Sequence, residues 1–321
     1  MNLCVGLRVF TRFPQKAVRS SGRPQLTRYR CPCRGAGSFL DPKMMKAFIE
    51  ENTEVTSSGS LTPEIHLRLL TPRCRFWWER AELWPHSDPY WAIYWPGGQA
   101  LSRYILDHPS VVRGKSVLDL GSGCGATAIA AKMSGASRIL ANDIDPIAGM
   151  AIALNCELNQ LTPFPILTKN ILDLKQEKWD LIVLGDMFYD EDLADRLHQW
   201  LKNCFWAHGT RVLIGDPGRP QFSGHRIQHQ VHRLVEYSLP EPTRQQNNGL
   251  TMSTVWDFSP EPPQCTREKS CRWKRPCQFL TCLQGPPLKL HSKHSVCTEL
   301  PGGGNCPQHV EMGHATLPHI S

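Results

Sequence analysis

The sequence lacks two features that would each define a class of protein. No apolar run reaches the roughly eighteen residues that a membrane-spanning helix needs. No Cys-x-x-Cys pair occurs, and the seven cysteines before residue 260 are scattered along the chain. This usage argues against a disulfide scaffold and favours free thiols in a reducing compartment. We therefore expect no membrane segment and no structural metal site.

Acidic residues are absent from the first 40 positions, which hold eight lysines and arginines. A basic, acid-free stretch that also carries serine and threonine is typical of a mitochondrial presequence. The prolines at 14, 24 and 32 would interrupt a long amphipathic helix, so a disordered basic tail is the alternative. On either interpretation residues 1–37 lie outside the fold, and the first predicts the mitochondrial matrix as the location.

The net charge of +7 hides an acidic body, because residues 41–259 hold 21 basic and 25 acidic side chains. A body of this sign is poorly suited to nucleic acid, whose phosphates are bound by basic clusters. It suits a basic protein segment better. Residues 260–321 are rich in proline, cysteine and histidine, with few aliphatic residues, so we expect a disordered tail there. The cysteine and histidine spacing in that tail does not match a known zinc finger.

Apolar strands alternate with helical segments from Ser116 onwards. We predict strands at residues 116–120, 138–142, about 165–168, 181–185 and 211–215, and helices at residues 126–133, 146–158 and 190–203. This alternation predicts an α/β, Rossmann-like core over residues 116–259, with a mostly parallel sheet and helices on both faces. Two last strands, near 234–238 and 251–258, are predicted to form an antiparallel hairpin around a polar loop. Residues 38–115 would form a helical and aromatic N-terminal collar. Ligands bind at the carboxyl ends of parallel strands, and five side chains follow those ends: Asp119, Asp143, Asn170, Asp186 and Asp216.

A glycine turn links the first core strand to its helix, in the sequence Asp119-Leu-Gly121-Ser-Gly123-Cys-Gly125-Ala126. Glycines there let the backbone approach a ligand closely. About eighteen residues later, Asp143 ends the second strand, where a carboxylate can hold both hydroxyls of a ribose. The strand, the glycine turn and the acid together predict a nucleoside-binding βαβ unit.

The same glycine pattern also fits a dinucleotide-binding fold, and Asp119 separates the two interpretations. A buried carboxylate would repel a pyrophosphate but attract the ammonium group of a methionine moiety. We therefore predict S-adenosylmethionine as the cofactor, held by Asp119, Gly121, Gly123, Gly125, Asp143 and Asn170.

Five tryptophans lie between residues 77 and 95, ahead of the glycine turn. They would form either a lid over the ligand or a packed collar. Trp95 is the one we select, because it precedes a Pro-Gly-Gly bend that leads into a helix predicted over residues 100–107. Its ring can face the sulfonium of the cofactor, since cations are attracted to π-electron density.

The fourth core strand ends in Gly185-Asp186-Met-Phe-Tyr189. That strand lies beside the first across the switch point, so its end faces the cofactor's methyl group. Asp186 supplies a carboxylate and Tyr189 a phenol, and both can orient a lysine amine. We predict both as catalytic residues, with Asp186 also in contact with the cofactor. The alternative is that Asp186 only caps the next helix.

These segments resemble the seven-strand, class I protein-lysine methyltransferases. The resemblance rests on the glycine turn, Asn142-Asp-Ile-Asp145, Asp186-Met-Phe-Tyr189, Trp95-Pro-Gly-Gly98 and Gly215-Asp-Pro-Gly-Arg219. Over roughly residues 36–258 the chain closely resembles the members that modify the electron transfer flavoprotein β subunit in mitochondria. The resemblance implies that subunit as the protein substrate and trimethyllysine as the product. We also expect a monomer. A catalytically silent cofactor-binding protein of the same fold is the alternative.

Overall fold

A computed structural model describes residues 41–79 and 89–261 of the chain. The predicted presequence, Trp84 and the tail beyond Glu261 lie outside the described residues. Among the residues described, no helix is both long enough and apolar enough to span a membrane.

A seven-stranded sheet forms the centre of the fold. Its strands are β3 (Ser116–Leu120), β4 (Arg138–Asn142), β5 (Ile166–Leu167), β6 (Leu181–Gly185), β7 (Arg211–Asp216), β8 (Val231–Ser238) and β9 (Met252–Phe258). Their order across the sheet is β5-β4-β3-β6-β7-β9-β8. The first five are parallel, whereas β9 pairs antiparallel with both β7 and β8. This confirms the predicted α/β fold with its closing antiparallel pair. A two-stranded ribbon, β1 (Glu54–Thr56) with β2 (Leu67–Leu69), precedes it.

Eight α-helices accompany the strands within the described ranges. They are α1 (Pro42–Asn52), α2 (Arg75–Trp78), α3 (Pro96–Asp107), α4 (Ala126–Met133), α5 (Pro146–Leu158), α6 (Glu191–His208), α7 (Pro220–Ser223) and α8 (Glu241–Gln246). The last of these replaces part of the polar loop predicted between the final two strands. Helix α6 runs five residues further than the pattern predicted, and it ends where Gly209 adopts a left-handed φ of 67°.

Helices cover both faces of the sheet because successive strand residues point to opposite sides. In β3, Val117 packs into a cluster with residues of α3, α4 and α5, whereas Leu118 packs into a second cluster with residues of α6. All of these strand side chains are buried. Fully apolar strands are the expected composition for a parallel sheet covered on both faces.

The start of α3 differs from the prediction, and the reason is a contact with the sheet. The helix begins at Pro96 instead of Ala100, so that Gly97 and Gly98 form its first turn. A Cβ atom on Gly97 would lie 2.2 Å from the Gly215 carbonyl oxygen, and one on Gly185 would lie 2.5 Å from the Gly98 nitrogen. Glycine at these positions therefore lets the helix backbone rest directly on the ends of β6 and β7.

Substituting Gly215 tests this backbone contact. In Gly215→Ala the new methyl group would lie 2.1 Å from the Gly97 carbonyl oxygen, which is backbone and cannot move aside. We expect the free energy of unfolding to fall by about 3 kcal/mol or more. The matched control is Gly209→Ala, whose methyl meets nothing within 4 Å and which carries only the cost of its positive φ, about 1 kcal/mol. Urea unfolding of both variants measures the difference, and equal losses would contradict the packing argument.

Candidate functional site

A cleft opens at the carboxyl ends of β3 and β6, against the start of α3. Its lining combines the glycine turn with aromatic residues from the segment before α3. The residues that line it are Ile93, Tyr94, Trp95, Gly98, Asp119, Gly121, Ser122, Gly123, Cys124, Ala126, Thr127 and Gly185. The structure thus brings four of the predicted site residues, Trp95, Asp119, Gly121 and Gly123, together in one cleft.

The glycine turn has the left-handed backbone that its sequence predicts. Gly121, Gly123 and Gly125 have φ values of 69°, 53° and 81°, a region that other residues enter at a cost. A Cβ on Gly121 would overlap the sulfur of Met187, and one on Gly125 would lie 3.0 Å from Ile152. A larger side chain at Gly121 or Gly125 would therefore displace a neighbour as well as strain the backbone.

Asp143 joins the turn after β3 to the turn after β4. One carboxylate oxygen accepts a hydrogen bond from the Gly123 amide at 2.9 Å, and the other accepts one from the Asp145 amide at 3.0 Å. Burial raises the pKa of Asp143 above its ordinary value. Each carboxylate oxygen can accept a second hydrogen bond, so the side chain is held in place with capacity left for two hydroxyl groups.

Asp119 is 2% exposed and lies beneath the turn. Its Oδ2 accepts a hydrogen bond at 3.0 Å from the amide of Ala128, in the first turn of α4. Burial raises the pKa of Asp119 to about 7, and the nearby charge of Asp143 acts in the same direction. The carboxylate therefore stabilises the start of α4, and it is poised to gain charge when a cation approaches.

Asp186 occupies the centre of a hydrogen-bond network that joins three segments. Its Oδ2 accepts from the amides of Gly97 (2.5 Å) and Gly98 (3.1 Å), at the start of α3. Its Oδ1 accepts from Arg219 Nη2 at 2.6 Å and Nε at 3.1 Å. Its φ of 58° is a left-handed value that non-glycine residues seldom adopt. Asp190, rather than Asp186, caps α6 by accepting from the Leu193 amide.

The other three predicted residues, Trp95, Tyr189 and Asn170, have different surroundings. Trp95 lines it, and its indole nitrogen donates to the Tyr90 carbonyl oxygen at 2.9 Å. Tyr189 is 40% exposed, and burial together with the charges of Asp143 and Asp190 raises the pKa of its phenol. Asn170 is not among the lining residues. Its side chain instead accepts from the Leu172 amide and donates to Asp173.

Arg219 is the residue that side-chain reasoning from the sequence missed. It lies in the Gly215-Asp-Pro-Gly-Arg219 segment, which follows β7, and its guanidinium is 5.4 Å from the centre of the Trp95 ring. The motif was visible in the sequence, but the partner of the arginine lies 33 residues away at Asp186.

Asp216 completes the charged groups at this edge of the sheet. Its Oδ1 accepts from the amides of Gly218 (2.7 Å) and Arg219 (2.8 Å). Its buried Oδ2 has no hydrogen-bond partner among the described residues. Burial raises the pKa of Asp216 to about 7, with the charge of Asp186 adding to the effect.

Four buried cysteines in the described ranges, Cys74, Cys124, Cys156 and Cys204, are free thiols, as the scattered spacing predicted. No group of three or more histidine, cysteine or acidic side chains in those ranges is arranged to hold a metal ion.

The sheet order, the glycine turn and the carboxylates of Asp119 and Asp143 define a class I methyltransferase with S-adenosylmethionine as its cofactor. The residues fit that cofactor, because Asp143 can accept from a ribose, Asp119 can face an ammonium group, and the glycines leave room for the ligand.

Comparisons with known proteins narrow the class. A family model described as lysine methyltransferase matches residues 90–225. The human electron transfer flavoprotein beta subunit lysine methyltransferase is 81% identical over 245 residues, which cover 76% of this chain and 93% of that protein. The Danio rerio protein of the same name is 60% identical, over 68% of this chain and 84% of that protein. A Caenorhabditis elegans homolog is 40% identical, over 64% and 92%. The chain belongs to this lysine methyltransferase family, as the resemblance in its motifs predicted.

Cofactor binding should depend on pH through Asp119. A cationic ligand binds the ionised carboxylate, and the pKa of Asp119 is raised to about 7, so affinity falls as pH drops below that value. We expect the dissociation constant of S-adenosylmethionine to rise roughly five- to tenfold between about pH 7.5 and pH 6. Asp119→Asn should bind weakly with little pH dependence.

Isothermal titration calorimetry at several pH values provides the measurement. Asp190→Asn is the control, because asparagine also caps helices and Asp190 is not among the residues that line the cleft. It should retain the wild-type pH dependence. Equal affinity of the wild type at the two pH values would rule out a titrating role for Asp119.

Proposed function

We propose that this protein transfers methyl groups from S-adenosylmethionine to lysine side chains of the electron transfer flavoprotein β subunit, to trimethyllysine, in the mitochondrial matrix. The observation that carries the proposal is the 81% identity to a human protein named for this substrate, over 93% of that protein. The acid-free N-terminal composition supports the location.

The cofactor, when bound, supplies an electrophilic methyl group on a sulfonium. The chain must hold it and present a neutral amine to it. Asp143 would accept from the ribose hydroxyls, and Asp119 would pair with the ammonium of the methionine moiety. The free lysine amine has a pKa of about 10.4, so forming the neutral amine at about pH 8 costs roughly 3 kcal/mol unless the site assists. A nearby positive charge lowers that cost, and positioning of the amine contributes the rest.

Tyr189 and Asp186 are the residues we assign to the acceptor amine. The raised pKa of Tyr189 keeps its phenol protonated at neutral pH, so it can accept from an amine or donate to a carbonyl. Asp186 already receives four hydrogen bonds, two on each oxygen. Because a carboxylate has about four acceptor positions, Asp186 acts on the acceptor amine through its charge while these donors stay in place.

Methyl transfer to the purified flavoprotein β subunit tests the proposed activity. With S-adenosylmethionine present, the full chain should add methyl groups to lysines of that subunit, and mass spectrometry should count up to three on one side chain. Tyr189→Phe keeps the ring and removes only the hydroxyl, so we expect a several-fold slower reaction and a larger share of mono- and dimethyl products. Cofactor affinity should be unchanged in that variant.

Two results would count against the proposal in different ways. Modification of another matrix protein, with this subunit untouched, would reject the substrate. Tight cofactor binding with no methyl transfer to any matrix protein would instead indicate the catalytically silent alternative.

Targeting is tested separately with a reporter. Residues 1–37 fused to a fluorescent protein should enter mitochondria and be shortened by proteolysis, since the segment is basic and acid-free. Changing its arginines to glutamine should leave the fusion in the cytosol. A cytosolic distribution of the unchanged fusion would reject the proposed matrix location for this segment.

A further inference from the structure

We propose that Arg219 is a positioning residue that acts through Asp186: its guanidinium neutralises that carboxylate and thereby keeps the acceptor amine uncharged at the moment of transfer. The proposal rests on the lysine methyl transfer proposed above.

The guanidinium is fixed in place by contacts on several sides. Its Nε and Nη2 both donate to Oδ1 of Asp186. The side chains of Arg219 and Asp186 are only 15% and 5% exposed. The ring of Trp95 lies 5.4 Å from its central carbon, which is within the range of a cation–π contact. The backbone amide of Arg219 donates a hydrogen bond to Asp216. A cation held this firmly contributes a fixed field, because little reorganisation is possible.

The ion pair borders the place where an acceptor must enter. Gly98, Trp95 and Gly185 line the cofactor cleft, and each is a direct neighbour of the pair: Gly98 donates to Asp186, Trp95 lies against Arg219, and Gly185 precedes Asp186 in the chain. The carboxyl end of β6 therefore presents the pair, and not a lone carboxylate, to an amine that approaches the cleft.

The ion pair between Arg219 and Asp186 determines whether the site favours the ammonium ion or the neutral amine. A lone carboxylate stabilises an ammonium ion and raises its pKa, whereas a paired carboxylate with no net charge does so far less. The neutral form is the nucleophile, so a lone Asp186 would hold the substrate in its unreactive state. Removing Arg219 should therefore raise the pKa of the bound amine.

Other titratable groups at this edge also contribute to the pH profile. Asp216 faces the pair from the end of β7, and its pKa of about 7 means that it gains negative charge through the neutral range. Tyr189 and Asp190 lie in the loop after β6 and Asp143 lies in the loop after β4, and the charges of the two aspartates help to raise the pKa of Tyr189. Because Asp186 and Arg219 also influence the pKa of Asp216, each variant is measured both alone and combined with Asp216→Asn, where that contribution is absent.

The test is the pH dependence of kcat at saturating cofactor and saturating flavoprotein β subunit, which reports groups in the bound complex. We compare the full wild-type chain with Arg219→Met, Arg219→Lys and Asp186→Asn. In Arg219→Met the apparent pKa of the rising limb should move about one unit to the alkaline side. Arg219→Lys restores the charge and should keep the apparent pKa near wild type, even if kcat is lower. Asp186→Asn leaves the charge of the guanidinium unpaired and should move the apparent pKa to the acid side.

A purely structural role for Arg219 predicts a different result. It would lower kcat by the same factor at every pH and leave the apparent pKa of Arg219→Met unchanged, which would overturn the proposal. If Arg219→Met does not fold, as judged by circular dichroism, Asp186→Asn decides: an acid shift supports the proposal and an unchanged profile overturns it.

The activity of the wild-type chain distinguishes a failure of this proposal from a failure of the proposed function. An inactive wild type rejects the lysine methyl transfer, and this proposal with it. An active wild type whose variants keep one common pH profile rejects the role of Arg219 alone.

Discussion

The carboxylate of Asp186 is the interaction on which the rest of the site depends. Its four hydrogen bonds join the start of α3, the end of β6 and the arginine that follows β7. Without a buried acceptor, the first amides of α3 would have no partner. Because Gly98 and Trp95 at this helix start also line the cofactor cleft, the same carboxylate fixes the wall against which the cofactor lies. Asp186 therefore both supports the start of α3 and belongs to the proposed reaction site.

The first two core strands and the helix between them could be predicted to the residue from the sequence. Ser116–Leu120, Ala126–Met133 and Arg138–Asn142 have the predicted bounds because their signals are local: apolar runs end at glycines and at caps. The start of α3 was predicted four residues late. Two glycines after a proline indicate a bend when taken alone, and only the carboxylate of Asp186, 89 residues away, makes them helical.

The candidate site was predictable in its residues but less so in their partners. Position at the carboxyl end of a parallel strand was enough to select Asp119 and Asp143, since the fold brings those ends together. It did not show that Asp119 would also accept from α4, or that Asn170 would cap its own short turn. These bonds depend on side-chain geometry that strand periodicity does not encode. The catalytic roles of Asp186 and Tyr189 remain predictions.

The contact between α3 and the sheet is made largely by backbone atoms, which every amino acid shares. At Gly97, Gly185 and Gly215 the nearest atoms across the contact include backbone, so no side chain there can be exchanged for a smaller one. Most packed surfaces can change gradually, as one residue grows while its neighbour shrinks. Here each substitution can only add atoms, and no partner can give them up. The wall beside the cofactor therefore cannot be reshaped in small steps, and variation in this enzyme must arise elsewhere around the cleft.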